Sequence, residues 1–159
     1  MSRAHTITKR NVVADPKYGS LKIAKLINRT MKDGKKSSAR TQVYGAFEIL
    51  ESKLNKPAIE IFEEALHAVS PQMEVRSRRV GGAAYQVPMP VRGPRGFSLA
   101  IRWMIEEARK RPSSTYHSFG EKLAAEMLDA MKGEGGAVAK KNTMHRMADA
   151  NKAFAHFRW

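Results

Sequence analysis

Met73-Glu74-Val75-Arg76-Ser77-Arg78-Arg79-Val80-Gly81-Gly82-Ala83-Ala84-Tyr85-Gln86-Val87-Pro88 is the stretch on which the reading of this chain turns. Two runs of strand-forming residues flank Gly81-Gly82. Three arginines precede the turn, so the segment reads as a protruding basic β-hairpin that needs an anionic partner. Side chains alternate faces along a strand. A three- or five-residue loop containing Gly81 and Gly82 is therefore expected, because it would gather Met73, Val75, Tyr85, Val87 and Met89 on one side. Arg76 and Arg78 would then share the opposite face, with Arg79 leaning over the apolar face near the tip. A two-residue loop would set Val87 beside Arg76. Pro88 and Pro90 cannot donate ladder hydrogen bonds, which suits an exposed edge. An ordinary surface hairpin kept soluble by its arginines is the competing reading.

Outward from the hairpin, the pattern is helical. Ser20 is placed to cap a helix with Leu21, Ala24, Ile27 and Met31 inward, ending at Gly34, and with Lys22, Lys25, Arg29 and Lys32 on its outer face. Ser37 or Ser38 starts a second helix with an apolar stripe of Ala39, Val43, Ala46, Phe47, Leu50 and Leu54. Pro57 suits the opening of a third, with Ile59, Phe62, Ala65, Leu66 and Val69 inward and Pro71 beyond its end. Phe97 to Arg111 is apolar nearly all round in its first turns and reads as the centre of the core. Ser118 and Glu121 have capping-box spacing before Leu123, Ala124, Met127, Leu128 and Met131. A last helix runs from about Val138 to Phe157. The expected architecture is mainly α: an extended basic arm over residues 1–17, then one helical domain over 18–159. That domain has about six helices and an inserted, protruding two-stranded hairpin at about 72–90.

With 159 residues and 42% hydrophobic content the chain can bury a real core. It has no cysteine, so disulfides and thiolate metal sites are excluded and a reducing compartment fits. No apolar run approaches the ~20 residues of a bilayer span, and the basic N-terminus lacks the apolar core of a secretion signal. A soluble cytoplasmic protein is expected, without membrane attachment.

The net charge is +14 and it is sorted along the chain. Residues 1–40 carry 11 Lys or Arg against two acids, residues 72–112 nine against three, and residues 135–159 five against one, while the intervening stretches are net acidic. Blocks of this kind can converge into one surface that displaces counterions from a phosphate backbone. Lys35-Lys36 stands just before a helix start, joining lysines to free helical N–H groups. Arg92-Gly93-Pro94-Arg95-Gly96 makes a flexible basic loop at the hairpin base. Arg109-Lys110-Arg111 lies at a helix C-terminus, where the dipole already favours cations and an RNA role competes with a structural one. Lys140, Lys141, Arg146, Lys152 and Arg158 mark the last helix. Tyr85, Phe157 and Trp159 are candidates for stacking on unpaired bases.

No catalytic set is legible. His5, His67, His117, His145 and His156 form no metal-ligand spacing, and a solvated or RNA-facing place is expected for them. Glu63-Glu64 and Glu106-Glu107 are adjacent on helices, so each pair points apart and reads as a solvated face rather than an acid/base couple. No phosphate-binding glycine fingerprint is present. Neither cofactor, metal nor small-molecule substrate is implied, and an enzyme is the least supported class.

Gly34-Lys35-Lys36-Ser37, the run from Glu74 to Pro88, Arg102-Trp103 and the C-terminal stretch from Met147 to Trp159 closely resemble the bacterial small-subunit ribosomal protein seven family. The resemblance spans about Asp15 to Trp159 in the family's order. It implies a helical domain with a β-hairpin arm that binds the three-prime major domain of sixteen-S ribosomal RNA and initiates assembly of the subunit head. It further implies a place near the exit-site tRNA and the mRNA path, with ribosomal proteins nine and eleven as neighbours. Family RNA contacts carried onto this chain are Arg3, Lys9, Arg10, Lys35, Lys36, Arg76, Arg78 and Arg79. The chain departs from the family at Arg95-Gly96-Phe97, where paired arginines are usual, in a longer linker from Pro112 to His117, and at Asn142-Thr143. With Lys22, Lys25, Arg29, Lys32, Tyr85, Arg92, Arg95, Arg102, Arg109, Lys110, Arg111, Lys140, Lys141 and Arg146, these residues are the candidate RNA-binding set. An architectural DNA-binding protein with a basic β-arm is the alternative.

Overall fold

Phe47 and Phe62 meet at the centre of the protein with ring centroids 5.7 Å apart, both without solvent exposure. They are brought there by the second and third of six α-helices in a computed structural model that describes residues 11–157. The helices are α1 (Leu21–Thr30), α2 (Lys36–Leu54), α3 (Ala58–Val69), α4 (Pro94–Lys110), α5 (Phe119–Met131) and α6 (Gly136–Ala150). Strands β1 (Met73–Val80) and β2 (Ala83–Pro90) form a hairpin between α3 and α4, and a 3₁₀ helix, Lys152–Phe157, follows α6. The mainly helical architecture with one inserted hairpin is the one the periodicity implies.

Hydrophobic spacing explains most of the packing. Val43, Ala46, Phe47 and Leu50 of α2 face Leu123, Ala124 and Met127 of α5 across one continuous core. Each fully buried Leu, Phe or Met side chain there contributes about 1.5–3 kcal/mol relative to exposure. The two helices approach closely at Gly120, where a Cβ would come within 2.9 Å of the Gln42 carbonyl oxygen. α4 buries Leu99, Ala100, Ile101, Trp103, Met104, Ile105 and Ala108, as its apolar run predicts. The Ser118 capping box closes as its spacing requires: Ser118 Oγ accepts from the Glu121 N–H at 3.2 Å and donates to Glu121 Oε1 at 3.0 Å, and Glu121 Oε2 accepts from the His117 N–H.

Several local expectations need correction. In α1, Ala24 and Ile27 are inward and Met31 is half-buried against the core, as expected, but Leu21 is 53% exposed, and Ile23, Leu26 and Thr30 complete the buried stripe. α2 begins at Lys36, ahead of Ser37 and Ser38. α4 begins at Pro94, whose fixed φ suits a first helical position. The last helix changes from α to 3₁₀ geometry near Asn151 instead of running unbroken to Phe157.

The largest correction concerns the hairpin. Val80 pairs with Ala83, leaving the two-residue loop Gly81-Gly82, with φ of +58° and +89°. Two positive φ values in succession give the turn whose twist matches that of the strands, and this outweighs the segregation of apolar residues. Arg76 therefore stands opposite Val87 and Arg78 opposite Tyr85, all on one face with Glu74 and Met89. Met73, Val75, Ser77 and Arg79 share the other face with Gln86, Pro88 and Pro90. Val87 and Pro88 are both buried although they point to opposite sides, because the hairpin base is covered on both faces.

Before α1, Asp15 is only 4% exposed. Its carboxylate accepts hydrogen bonds from the Tyr44 hydroxyl at 2.9 Å and from the Lys17 and Tyr18 N–H groups at 3.2 Å. Burial and the Asp15 bond together raise the Tyr44 phenol above its ordinary value. Arg3, Lys9 and Arg10 lie outside the described residues, as do Arg158 and Trp159.

Candidate nucleic-acid interface

Amphipathic α1 turns its basic face toward α4, and the two helices frame a groove. Lys25, Arg29, Phe97, Ser98, Ile101 and Arg102 line a hollow of about 240 Å³, and Asn28, Arg29, Met31, Arg102, Glu106 and Arg109 line another of about 300 Å³. Arg29 and Arg102 belong to both, so the hollows form one strip with Glu106 as its acid. Arg109 continues the strip into a pocket of about 290 Å³ beside the turn between α1 and α2, lined also by Lys32, Asp33 and Lys35. The strip thus joins Lys25, Arg29, Lys32 and Lys35 with Arg102 and Arg109, drawn from two stretches of sequence far apart in the chain.

Local contacts hold several of these cations in place. Lys25 Nζ lies 5.9 Å from the Phe97 ring centroid, a cation–π distance. Arg109 donates to the Thr30 carbonyl oxygen at 2.9 Å, which ties the end of α4 to the end of α1. The Nε atoms of Arg102 and of Arg40 are buried without a hydrogen-bond partner. Arg40 was not singled out from the sequence. Lys22 is paired with Glu63 of α3. Among the described residues, Arg29, Lys32, Lys35 and Lys36 make no ion pair, so their charges are available to an external anion.

At the hairpin the cations are partly committed. Glu74, 5% exposed, accepts from Arg76 Nε at 2.7 Å through Oε1 and from Arg95 Nε at 3.1 Å through Oε2. The two guanidiniums flank one buried carboxylate and remain about half exposed on their outer sides. Arg79 and Arg92 are exposed. Tyr85, a candidate for stacking on a base, instead packs against Phe154 and Phe157 at centroid distances of 5.2 and 5.3 Å. The 3₁₀ helix thus clamps the hairpin, a contact that no local sequence signal shows.

A second group of expected RNA contacts is occupied within the protein. Arg111 donates from Nε and from a terminal nitrogen to Glu126 Oε2, at 2.9 and 2.7 Å, and pairs with Asp129. Burial works against its charge, but the carboxylates prevail and hold the guanidinium pKa above its ordinary value. Glu126 uses its other oxygen to accept from the Ala137 N–H at 2.9 Å, fastening the first turn of α6. Lys140 bridges Glu106 and Glu107 at 2.6 and 3.0 Å, and Lys110 also pairs with Glu107 at 2.7 Å. Lys141 donates to the Ala68 carbonyl oxygen, while Arg146 is exposed on α6. Both acid pairs expected to be solvated faces are thus engaged in ion pairs, Glu63 with Lys22 and Glu64 with Lys56. His145, half-buried, is engaged within the protein: its Nε2 accepts from the Gln72 N–H at 3.0 Å at the hairpin base. Among the described residues no group of His, Asp and Glu could hold a metal ion, and no helix is long and apolar enough to cross a membrane.

A cationic groove and a basic hairpin on a helical scaffold define a polyanion-binding protein. Residues 2–152 match the family model for ribosomal protein S7p/S5e, and the chain belongs to that family. It is similar to the small ribosomal subunit protein uS7 of Caldanaerobacter subterraneus subsp. tengcongensis, with 56% identity covering all of both chains. The proteins of the same name from Hyphomonas neptunium and Xylella fastidiosa are 52% and 55% identical, again over all of both chains. The chain is a ribosomal protein by family, and its basic groove is read in that light.

Proposed function

We propose that the chain is a structural, non-catalytic constituent of the small ribosomal subunit that binds the three-prime major domain of sixteen-S ribosomal RNA and organises assembly of the head. The observation that carries this reading is the strip of Lys25, Arg29, Arg102, Arg109, Lys32 and Lys35, where charges from distant parts of the sequence converge on one groove. Phosphates along such a groove would be neutralised in register, while Arg79, Arg92 and the outer sides of Arg76 and Arg95 offer a second contact at the hairpin. Two contact regions on one rigid scaffold hold RNA helices in a fixed relative orientation. Phosphate and shape recognition supply most of the affinity. In this reading the protein lies near the exit-site tRNA and the mRNA path, with ribosomal proteins nine and eleven as neighbours. Arg111, whose guanidinium is mostly buried against Glu126 and Asp129, acts on RNA binding only through the fold.

Competition between duplex DNA and a multi-helix RNA junction tests the reading. Log affinity for the junction is expected to fall linearly with log salt by ~0.7 to 0.9 per phosphate contacted. Equal affinity for the duplex would favour the architectural DNA-binding alternative, which family membership leaves without support.

A further inference from the structure

The pocket beside the α1–α2 turn is larger and more varied than a phosphate site needs. Its basic rim is Lys32, Lys35 and Arg109, opposed by Asp33 alone. α2 starts at its edge, and Lys35, the residue before the first turn, provides no side-chain cap; the Lys36 N–H donates to the Gly34 carbonyl oxygen at 2.8 Å, which leaves the Ser37 and Ser38 N–H groups as the open donors of the helix N-terminus. Thr30 also lines the pocket. It is 8% exposed, and its Oγ1 is buried with no hydrogen-bond partner, an arrangement that a folded protein retains at a cost unless something else satisfies it. Deeper in, Ala39 and the half-buried Phe119 form an apolar wall. Gln42 stands beside them with its Oε1 already accepting from the Gly120 N–H at 2.9 Å. That bond fixes the amide and leaves its NH₂ group as the donor for a ligand.

We propose that this pocket takes one unpaired nucleotide of the bound RNA, with its phosphate at the start of α2 and its base against Phe119, read by the Gln42 amide and Thr30 hydroxyl. The proposal rests on the RNA-binding function above and adds a base-recognition subsite to it. A volume of about 290 Å³ is at the lower end of sites that enclose small ligands. Stacking of a splayed base on an aromatic side chain is the ordinary way in which proteins read single-stranded RNA. Because Gln42 offers donors, the base should present a carbonyl oxygen, as uracil does.

Nuclear magnetic resonance titration of the full chain with uridine 5′-monophosphate, uridine and inorganic phosphate tests the site without requiring RNA binding. The nucleotide is expected to move the Ser37 and Ser38 N–H signals together with the Gln42 side-chain amide, at a half-saturating concentration about tenfold below that of phosphate. Equal half-saturation for the two, with Gln42 and Phe119 silent, would overturn the base site and leave a phosphate contact only. In a second arm, Phe119→Leu should bind a folded sixteen-S fragment about tenfold more weakly at an unchanged salt slope, because a base contact and not a phosphate is lost. Parent affinity in that variant would also overturn the proposal. If the unaltered chain itself fails to bind the fragment, the broader function is what fails, and the nucleotide titration alone then decides the pocket.

Discussion

The carboxylate of Glu74 accepts a hydrogen bond from the guanidinium of Arg95, 3.1 Å away across twenty-one residues of sequence, and this contact ties the base of the hairpin to the first turn of α4. The Glu74 side chain is 7% exposed, so the charge is stable there only because Arg76 and Arg95 both reach it. Glu74→Gln removes the charge while keeping the shape. It is expected to lower stability by about 1–3 kcal/mol, checked by urea unfolding, and to weaken RNA binding by freeing both guanidiniums from their set positions.

The hairpin arginines separate into two kinds. Replacing Arg76, Arg78 and Arg79 together should weaken RNA binding, but an intact thermal transition, the expectation for an exposed arm, does not extend to Arg76. Its loss leaves Glu74 with one partner. Arg79→Ala is expected to shift the thermal midpoint negligibly and to reduce the salt slope of RNA binding by about one contact, whereas Arg76→Ala should lower the midpoint measurably.

Arg111 is the reverse case. Its side chain is 16% exposed against Glu126 at 2%, and its removal strands a buried carboxylate that also fastens α6. Arg111→Ala is expected to cost about 3–5 kcal/mol in equilibrium unfolding, with the salt slope of RNA binding unchanged under conditions where the variant is folded. A reduced slope would return Arg111 to the RNA interface.

Burial by itself would raise the Glu107 carboxyl, but hydrogen bonds from Lys110 and Lys140 outweigh it and hold the group below the usual carboxylate range. Folding therefore favours the charged form. The stability gained is complete above the ordinary carboxylate value of about 4.3 and is lost as pH falls through the lower folded value. Glu107→Gln should accordingly be less stable than the parent at neutral pH, with the difference shrinking through that acid window in unfolding curves taken across pH.

Phe154 packs on Tyr85 at 5.2 Å, and this aromatic contact is worth about 0.5–1.5 kcal/mol beyond its buried area. Phe154→Ala is expected to speed amide hydrogen exchange in β1 and β2 while leaving exchange in α2 and α5 unaltered. Uniform acceleration throughout the protein would show that the clamp supports the whole fold.

How far the sequence alone reaches follows from the range of the forces involved. Helical periodicity placed all six helices, and the apolar run in α4 marked the core, because amphipathic spacing is a local record of which face is buried. The Ser118 capping box was legible for the same reason, its partners being three residues apart. The sorted charge and the motifs around Gly34 and Glu74 identified a basic RNA-binding protein. Tertiary structure alone decided which cations are paired within the protein. Arg111 and Lys140 resemble Arg29 and Lys35 in composition, but the first two meet carboxylates on neighbouring helices and the second two do not. It also decided the hairpin register, where the twist preference of Gly81-Gly82 prevailed over apolar alternation and a buried Glu74 became tolerable through Arg95. Pairings between residues far apart in the chain leave no local pattern, because they depend on how the helices pack.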